Sequence, residues 1–133
     1  MILKKVTETN NVIIKPLTPF ARHERGQTLL FNNDRTGEFI LGYRVKGSIS
    51  GRHYHKGGAP YKSPEQLVLI SGSIQLKTID LNTNNEEVVT IEEPSWMEIP
   101  VMVWHEVIAI TDCIFLELNS INDCNIDTYK LEE

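Results

Sequence analysis

Gly, Asn, Asp and Pro punctuate this chain so often that the segments between them are too short for ordinary helices but long enough for strands. The segments are rich in Val, Ile, Leu, Tyr and Thr: Val12–Leu17, Thr28–Phe31, Glu38–Val45, Arg52–His55, Gln66–Ser71, Ile74–Leu81, Glu86–Glu92, Trp96–Ile99, His105–Thr111 and Cys113–Asn119. Asn82-Thr83-Asn84-Asn85 separates two of them with hairpin chemistry, because Asn tolerates the left-handed backbone of tight turns. Ser71-Gly72-Ser73 reads as a tight turn. Only the N-terminal stretch and the tail after Ser120 have room for a helical turn, and neither carries an i, i+3, i+4 apolar stripe. Many short strands at even spacing predict an all-β sandwich or barrel. No repeat, linker or charge block divides the 133 residues, so one domain over residues 1–133 is expected.

Several segments are apolar at both parities, notably His105-Glu106-Val107-Ile108-Ala109-Ile110 and Cys113-Ile114-Phe115-Leu116. A sheet with one wet face does not need this, so a second sheet is expected on one side and a partner on the other. The expectation is a jelly-roll barrel that forms a homodimer through one sheet. Trp96 and Trp104 invite stacking against a base or sugar ring, but Trp104 points away from the face of His105, so core or dimer packing is expected for it.

The net charge of −5, with no Lys/Arg stripe, argues against a nucleic-acid partner or an anionic membrane surface. The sequence begins without the apolar core of a secretory signal, and no apolar run nears the ~18–20 residues that span a bilayer. A cytoplasmic location is expected. Cys113 and Cys124 are too few for a disulfide framework, and Cys113 reads as a small core residue.

His53 and His55 stand two apart on a predicted strand, so both imidazoles share one face. Glu65 opens the next long strand and His105 a later one, and strand mouths of an antiparallel barrel lie side by side. Three imidazoles and a carboxylate suit a divalent metal, Zn, Fe, Mn or Ni, with positions left for water or substrate.

Gly47-x5-His53-x-His55 followed by Glu65-x6-Gly72 resembles the first motif of the cupin superfamily, G-x5-H-x-H-x3,4-E-x6-G. Pro100-x-Met102-x2-His105 resembles the second, G-x5-P-x-G-x2-H-x3-N. The resemblance implies a double-stranded β-helix, the jelly-roll cupin barrel of RmlC-like proteins. Pro94 and Met102 stand where the second motif has glycines, and Ala109 where it has Asn. Nine residues, Lys56 to Pro64, fill a gap that the family closes with three or four, so this loop must bulge. Two arrangements stay open: Glu65 joins the histidines, or the loop carries it out of register and leaves a His-only pocket for acid–base work.

Within cupins, Glu24-Arg25-Gly26-Gln27-Thr28-Leu29, Arg52-His53-Tyr54-His55-Lys56, Glu65-Gln66-Leu67-Val68 and Val103-Trp104-His105-Glu106 resemble the dTDP-sugar 3,4-ketoisomerases. Asp127-Thr128-Tyr129 and the His-Tyr-His core are similar to the zinc-carrying cupin half of bifunctional capsule-sugar enzymes. The resemblance implies a sugar-nucleotide isomerase or epimerase of surface-polysaccharide biosynthesis, which removes a proton next to a keto group of a dTDP- or UDP-sugar. Imidazole suits that step, with an ordinary pKa of about 6.5. His55, with His53 beside it, is the expected base, and Tyr61 on the inserted loop the expected proton donor, Tyr54 facing the other way. His105 orients substrate or shares a metal. Arg44, Arg52 and Lys56 are expected to bind the diphosphate. The turn and tail acids Asp112, Asp123 and Asp127 receive no role.

Two alternatives remain. One is a metal-dependent cupin of other chemistry, a dioxygenase or small-acid isomerase; the other is a sugar- or effector-binding cupin without catalysis. No G-x-G-x-x-G, Walker loop or G-x-S-x-G occurs, so no dinucleotide cofactor is expected.

Overall fold

The computed structural model describes residues 7–131. Its strands are β1 Thr7–Thr9, β2 Val12–Pro16, β3 Thr18–His23, β4 Gly26–Leu30, β5 Ile40–Arg44, β6 Ile49–His53, β7 Glu65–Ser71, β8 Ile74–Asp80, β9 Glu86–Ile91, β10 Ser95–Ile99, β11 Val103–Ala109 and β12 Cys113–Glu117. One short helix, α1 Ile121–Ile126, follows and is capped by a reciprocal pair in which Ser120 and Asp123 each accept the other's backbone N–H. This is the helical turn expected after Ser120; the one expected at the N-terminus falls largely on residues outside those described.

A six-stranded sheet in the order β1-β2-β10-β7-β12-β5 faces a four-stranded sheet in the order β6-β11-β8-β9, and every described pairing is antiparallel. The jelly-roll class is as expected, but the sheets stay separate rather than closing into a barrel. Period-two alternation builds the core. Ile74 and Leu76 of β8 and Met97 and Ile99 of β10 point inward, where Val12, Ile14, Leu67, Leu69, Val103 and Ala109 join them, with Cys113 buried as expected. Burying a Leu or Ile of this kind contributes about 1.5–3 kcal/mol.

The outer face of the six-stranded sheet is apolar too. Val68, Leu118 and Leu17 form a second cluster there, with Trp96, Leu116 and Leu29 against it. The register aligns Leu116 with Leu41 and Ile114 with Tyr43, and on edge strand β5 both Leu41 and Tyr43 are exposed. The β3–β4 hairpin forms a separate two-stranded ribbon, most of it exposed. Its first strand escaped the sequence reading because an exposed ribbon needs no apolar alternation.

One irregularity positions the site. Between β6 and β11 the register runs His105↔His53 and then Glu106↔Gly51, which leaves Arg52 as the extra residue of a β-bulge. Gly51 and Arg52 both take left-handed backbone, with φ of 83° and 62°. A Cβ on Gly51 would lie 2.9 Å from the carbonyl oxygen of His105, so this position needs glycine. The bulge sets His53 directly opposite His105.

Candidate functional site

His53 ends β6, His55 follows it, Glu65 begins β7 and His105 lies in β11, and their four ligand atoms fall within 4.8 Å of one another. The ring centroids are 4.8 Å apart for His53 and His105, 5.1 Å for His53 and His55, and 5.3 Å for His55 and His105. His55, Glu65 and His105 are buried and His53 is half-buried. Of the two arrangements that the long loop left open, Glu65 inside the cluster is the one formed.

Three contacts that the sequence did not suggest hold that loop. Asp127, fully buried, accepts hydrogen bonds from the backbone N–H groups of Lys56 (2.8 Å), Gly57 (3.0 Å) and Ala59 (3.1 Å). Burial works to raise its pKa, but the three donors hold the carboxyl below the usual range. Arg35, also buried, donates to the carbonyls of Tyr61 (2.7 Å) and Pro64 (2.6 Å). Lys62 is buried with its Nζ 3.2 Å from Glu65 Oε1. No local pattern marks any of these residues; their partners lie up to 71 residues away.

The hydrogen bonds fix the tautomers of two histidines. His55 Nδ1 lies 2.5 Å from the carbonyl oxygen of Asp127, and His105 Nδ1 lies 3.0 Å from that of Val103. A carbonyl only accepts, so both Nδ1 atoms carry a proton, and each Nε2 presents a lone pair wherever no second proton occupies it. Those lone pairs face one oxygen, Glu65 Oε2, at 2.5 Å from His55 and 3.1 Å from His105. The His105 contact is out of line for a hydrogen bond, and its Nε2 is a buried polar atom without a partner. Lone pairs converging on a carboxylate call for a positive centre between them, either a proton or a cation. The donor set therefore fits a divalent metal ion.

Electrostatics agree with a compact charged cluster. Desolvation would raise the pKa of Glu65, but with protons on the facing Nε2 atoms His105 and His55 bring it well below the usual carboxylate range, helped by Lys62. Lys62 is raised despite its burial by Glu65 and Glu117. His53 is lowered to about 3, by burial first and by His105 next, so its ring is neutral at physiological pH.

His53, Glu65 and His105 form part of the wall of a cavity of about 160 Å3 between the sheets. The rest of the wall is mostly apolar, from Leu67, Leu69, Ile74, Met97, Val107 and Phe115, with Arg44 and Glu117 adding charge. Gly42 gives the Phe115 ring its place, since a Cβ there would overlap it.

The other expected site residues lie elsewhere. His55 sits behind the cavity wall, fully buried, so of the His53–His55 pair only His53 reaches the space, where His105 joins it from β11. Tyr61 is not in the wall; its hydroxyl oxygen accepts the N–H of Thr36, and Arg35 lies over its ring. Of the three basic residues only Arg44 lines the cavity, where it donates to Ser50 Oγ at 2.9 Å. Arg52 pairs with Glu106 at 2.8 Å and Lys56 lies over the Tyr129 ring, both outside the wall. Glu117 was missed because it reads as an ordinary strand residue; the inward parity it shares with Cys113 and Phe115 was the available signal.

No protein-family model and no curated protein matches the chain by sequence. Solved structures do match by shape. A dTDP-4-dehydrorhamnose 3,5-epimerase from Sulfolobus tokodaii superimposes with a TM-score of 0.63 at 16% identity, covering 92% of this chain and 72% of that one. A mutant of the 3,4-ketoisomerase QdtA from Thermoanaerobacterium thermosaccharolyticum, in complex with TDP-4-keto-6-deoxyglucose, gives 0.62 at 19% identity over 92% and 83%. ChmJ, a 3'-monoepimerase from Streptomyces bikiniensis in complex with dTDP-quinovose, gives 0.65 at 12% identity over 80% and 62%. The fold is that of the RmlC-like cupins. Among the described residues no helix is long and apolar enough to cross a membrane.

Proposed function

We propose that the protein is an isomerase or epimerase of a nucleotide-activated keto sugar, transferring a proton at the carbon next to the carbonyl. The observation that carries this reading is the cavity: a neutral imidazole, a carboxyl group and a guanidinium converge on a mostly apolar space. Solved proteins of the same fold act on dTDP-sugars, which supports the choice of substrate.

The chemistry follows from the residues. A carbonyl acidifies the neighbouring C–H, and the step needs a group to take the proton and a positive or hydrogen-bonding group at the enolate oxygen. His53 offers a ring lone pair at the cavity wall. At about 160 Å3 the cavity is smaller than the roughly 300–1,000 Å3 of sites that engulf a drug-sized ligand, so the sugar enters and the nucleotide stays outside. Arg44, exposed on its outer side and present in the wall, is placed to bind the diphosphate as the chain leaves the cavity.

Where His53 gives its lone pair to an ion instead of a proton, it would join His55, Glu65 and His105 in holding a divalent ion, with Zn, Fe, Mn and Ni suited to three nitrogens and one oxygen. Such an ion supplies Lewis-acid polarisation of a carbonyl oxygen when bound. The same reading makes the protein a cytoplasmic enzyme of surface-polysaccharide biosynthesis, and a homodimer that covers the outer face of the six-stranded sheet around Leu41 and Tyr43.

The test is incubation in D2O with TDP-4-keto-6-deoxyglucose and with UDP-4-keto sugars, followed by NMR. The expected result is deuterium next to the keto group together with an isomerised or epimerised product. Neither signal with any of these substrates would refute the reading.

A further inference from the structure

Proton transfer at a carbon centre with change of configuration needs two carriers, one on each side of the sugar, and the imidazole of His53 is only one. We infer that Glu117 is the second, delivering a proton to the reacting carbon from the six-stranded sheet while His53 faces it from the four-stranded sheet. The inference rests on the proposed function and deepens it.

Glu117 ends β12, whose inward residues Cys113 and Phe115 belong to the core and the cavity wall. Its register neighbours are Leu67 on β7 and Ile40 on β5. An aliphatic side chain would complete this wall without cost, whereas a half-buried carboxyl carries a desolvation penalty unless it is paired. Among the described residues the Glu117 carboxyl has no hydrogen-bond partner and no ion pair. The two cations near it are engaged elsewhere: Lys62 with Glu65, and Arg44 with Ser50 and the Tyr43 carbonyl. His53, His55, His105 and Glu65 are gathered on one another. Glu117 is therefore the carboxyl of the cavity wall that is free to meet a ligand, as His53 is the imidazole.

Its position suits a proton donor, since it lines the cavity from the six-stranded sheet, across from His53 on the four-stranded sheet. Burial and then the charge of Glu65 raise the pKa of Glu117, opposed by Lys62 from the loop, Arg44 from β5 and His105 from β11.

The step balances without any external reductant or oxidant. His53 takes the proton of the C–H bond, whose electron pair moves to leave an enolate. The carboxylic acid of Glu117 then gives its proton to the same carbon from the other side, the new C–H bond forms and the carbonyl is restored. Exchange with water resets the carboxylate and the imidazolium.

The experiment compares the unaltered protein with Glu117→Gln and Glu117→Asp on TDP-4-keto-6-deoxyglucose in D2O. It follows deuterium exchange and product by NMR, TDP affinity by calorimetry and bound metal by elemental analysis. The expected result for Glu117→Gln is a fall in inverted product of about 100-fold or more, the range of a lost general acid. Deuterium should still enter the substrate with retained configuration, and TDP affinity and metal content should be unchanged. Glu117→Asp should recover part of the rate, and it serves as the test if the Gln variant does not fold. Product formation by Glu117→Gln close to that of the unaltered protein would overturn the inference while leaving the proposed function standing. Loss of exchange and TDP binding together would overturn it in favour of a structural role. No exchange and no product with the unaltered protein would overturn both.

Discussion

Replacing Asp127 by Ala should show how the long loop is kept from displacing Glu65. The carboxylate accepts three backbone N–H groups, from Lys56, Gly57 and Ala59, and is itself fully buried. Hydrogen bonds to a charged group contribute about 1.5–3 kcal/mol each, but contributions from one cluster do not add. Lys56 and Gly57 are exposed, so water recovers most of what their N–H groups lose. Ala59 is buried, and its orphaned N–H costs about 1–3 kcal/mol. The expected loss is therefore about 1–3 kcal/mol, read as a lower urea midpoint at constant slope. The backbone carbonyl of Asp127 still receives His55 Nδ1–H in this variant, so the measurement isolates the side chain. The sign with pH also follows. A carboxyl whose folded pKa lies below its unfolded value contributes fully above the unfolded value of about 3.9. That contribution disappears as pH falls through the lower folded value, so Asp127→Asn should flatten the acid limb of stability below about pH 4. A cost under about 1 kcal/mol for Asp127→Ala, or an unchanged acid limb for Asp127→Asn, would refute the reasoning.

His105→Ala should lower divalent-metal affinity by about tenfold or more, measured by calorimetry and elemental analysis, because it removes the Nε2 lone pair that has no other partner. Lys62→Met should cost about 3–5 kcal/mol by urea unfolding, since it leaves the buried Glu65 without its cation. An effect below about 1 kcal/mol would mean that His55 and His105 neutralise Glu65 by themselves. Met102, with φ of 62°, holds left-handed backbone between a donated bond to the His55 carbonyl and an accepted bond from Leu81. Met102→Gly should then be neutral or stabilising by up to about 1 kcal/mol, and Met102→Val destabilising by more than that in thermal unfolding.

The residues that the sequence made legible are those whose signal is local in the chain. His53 and His55 declared a shared site by their spacing of two, whereas His105, expected to open a strand, lies two residues inside β11 and still joins them. The alternation in β8 and β10 declared which faces are buried. Where local spacing had to be extended in space, the reading divided. Both imidazoles reach the cluster, yet β6 ends at His53, and only that ring touches the cavity. Met102 shows the opposite relation between spelling and shape: a motif glycine is replaced, but the left-handed backbone that glycine would serve is retained. Motif letters report a backbone requirement through a residue preference of only about 1–2 kcal/mol, which neighbouring hydrogen bonds can override. Asp127, Arg35 and Lys62 were illegible for a different reason. Each works by satisfying backbone or charge on one inserted loop, and the need for that satisfaction exists only once the loop has been folded against the sheets. An insertion read as a threat to the register of Glu65 is, in the folded chain, what supplies Lys62 to hold it.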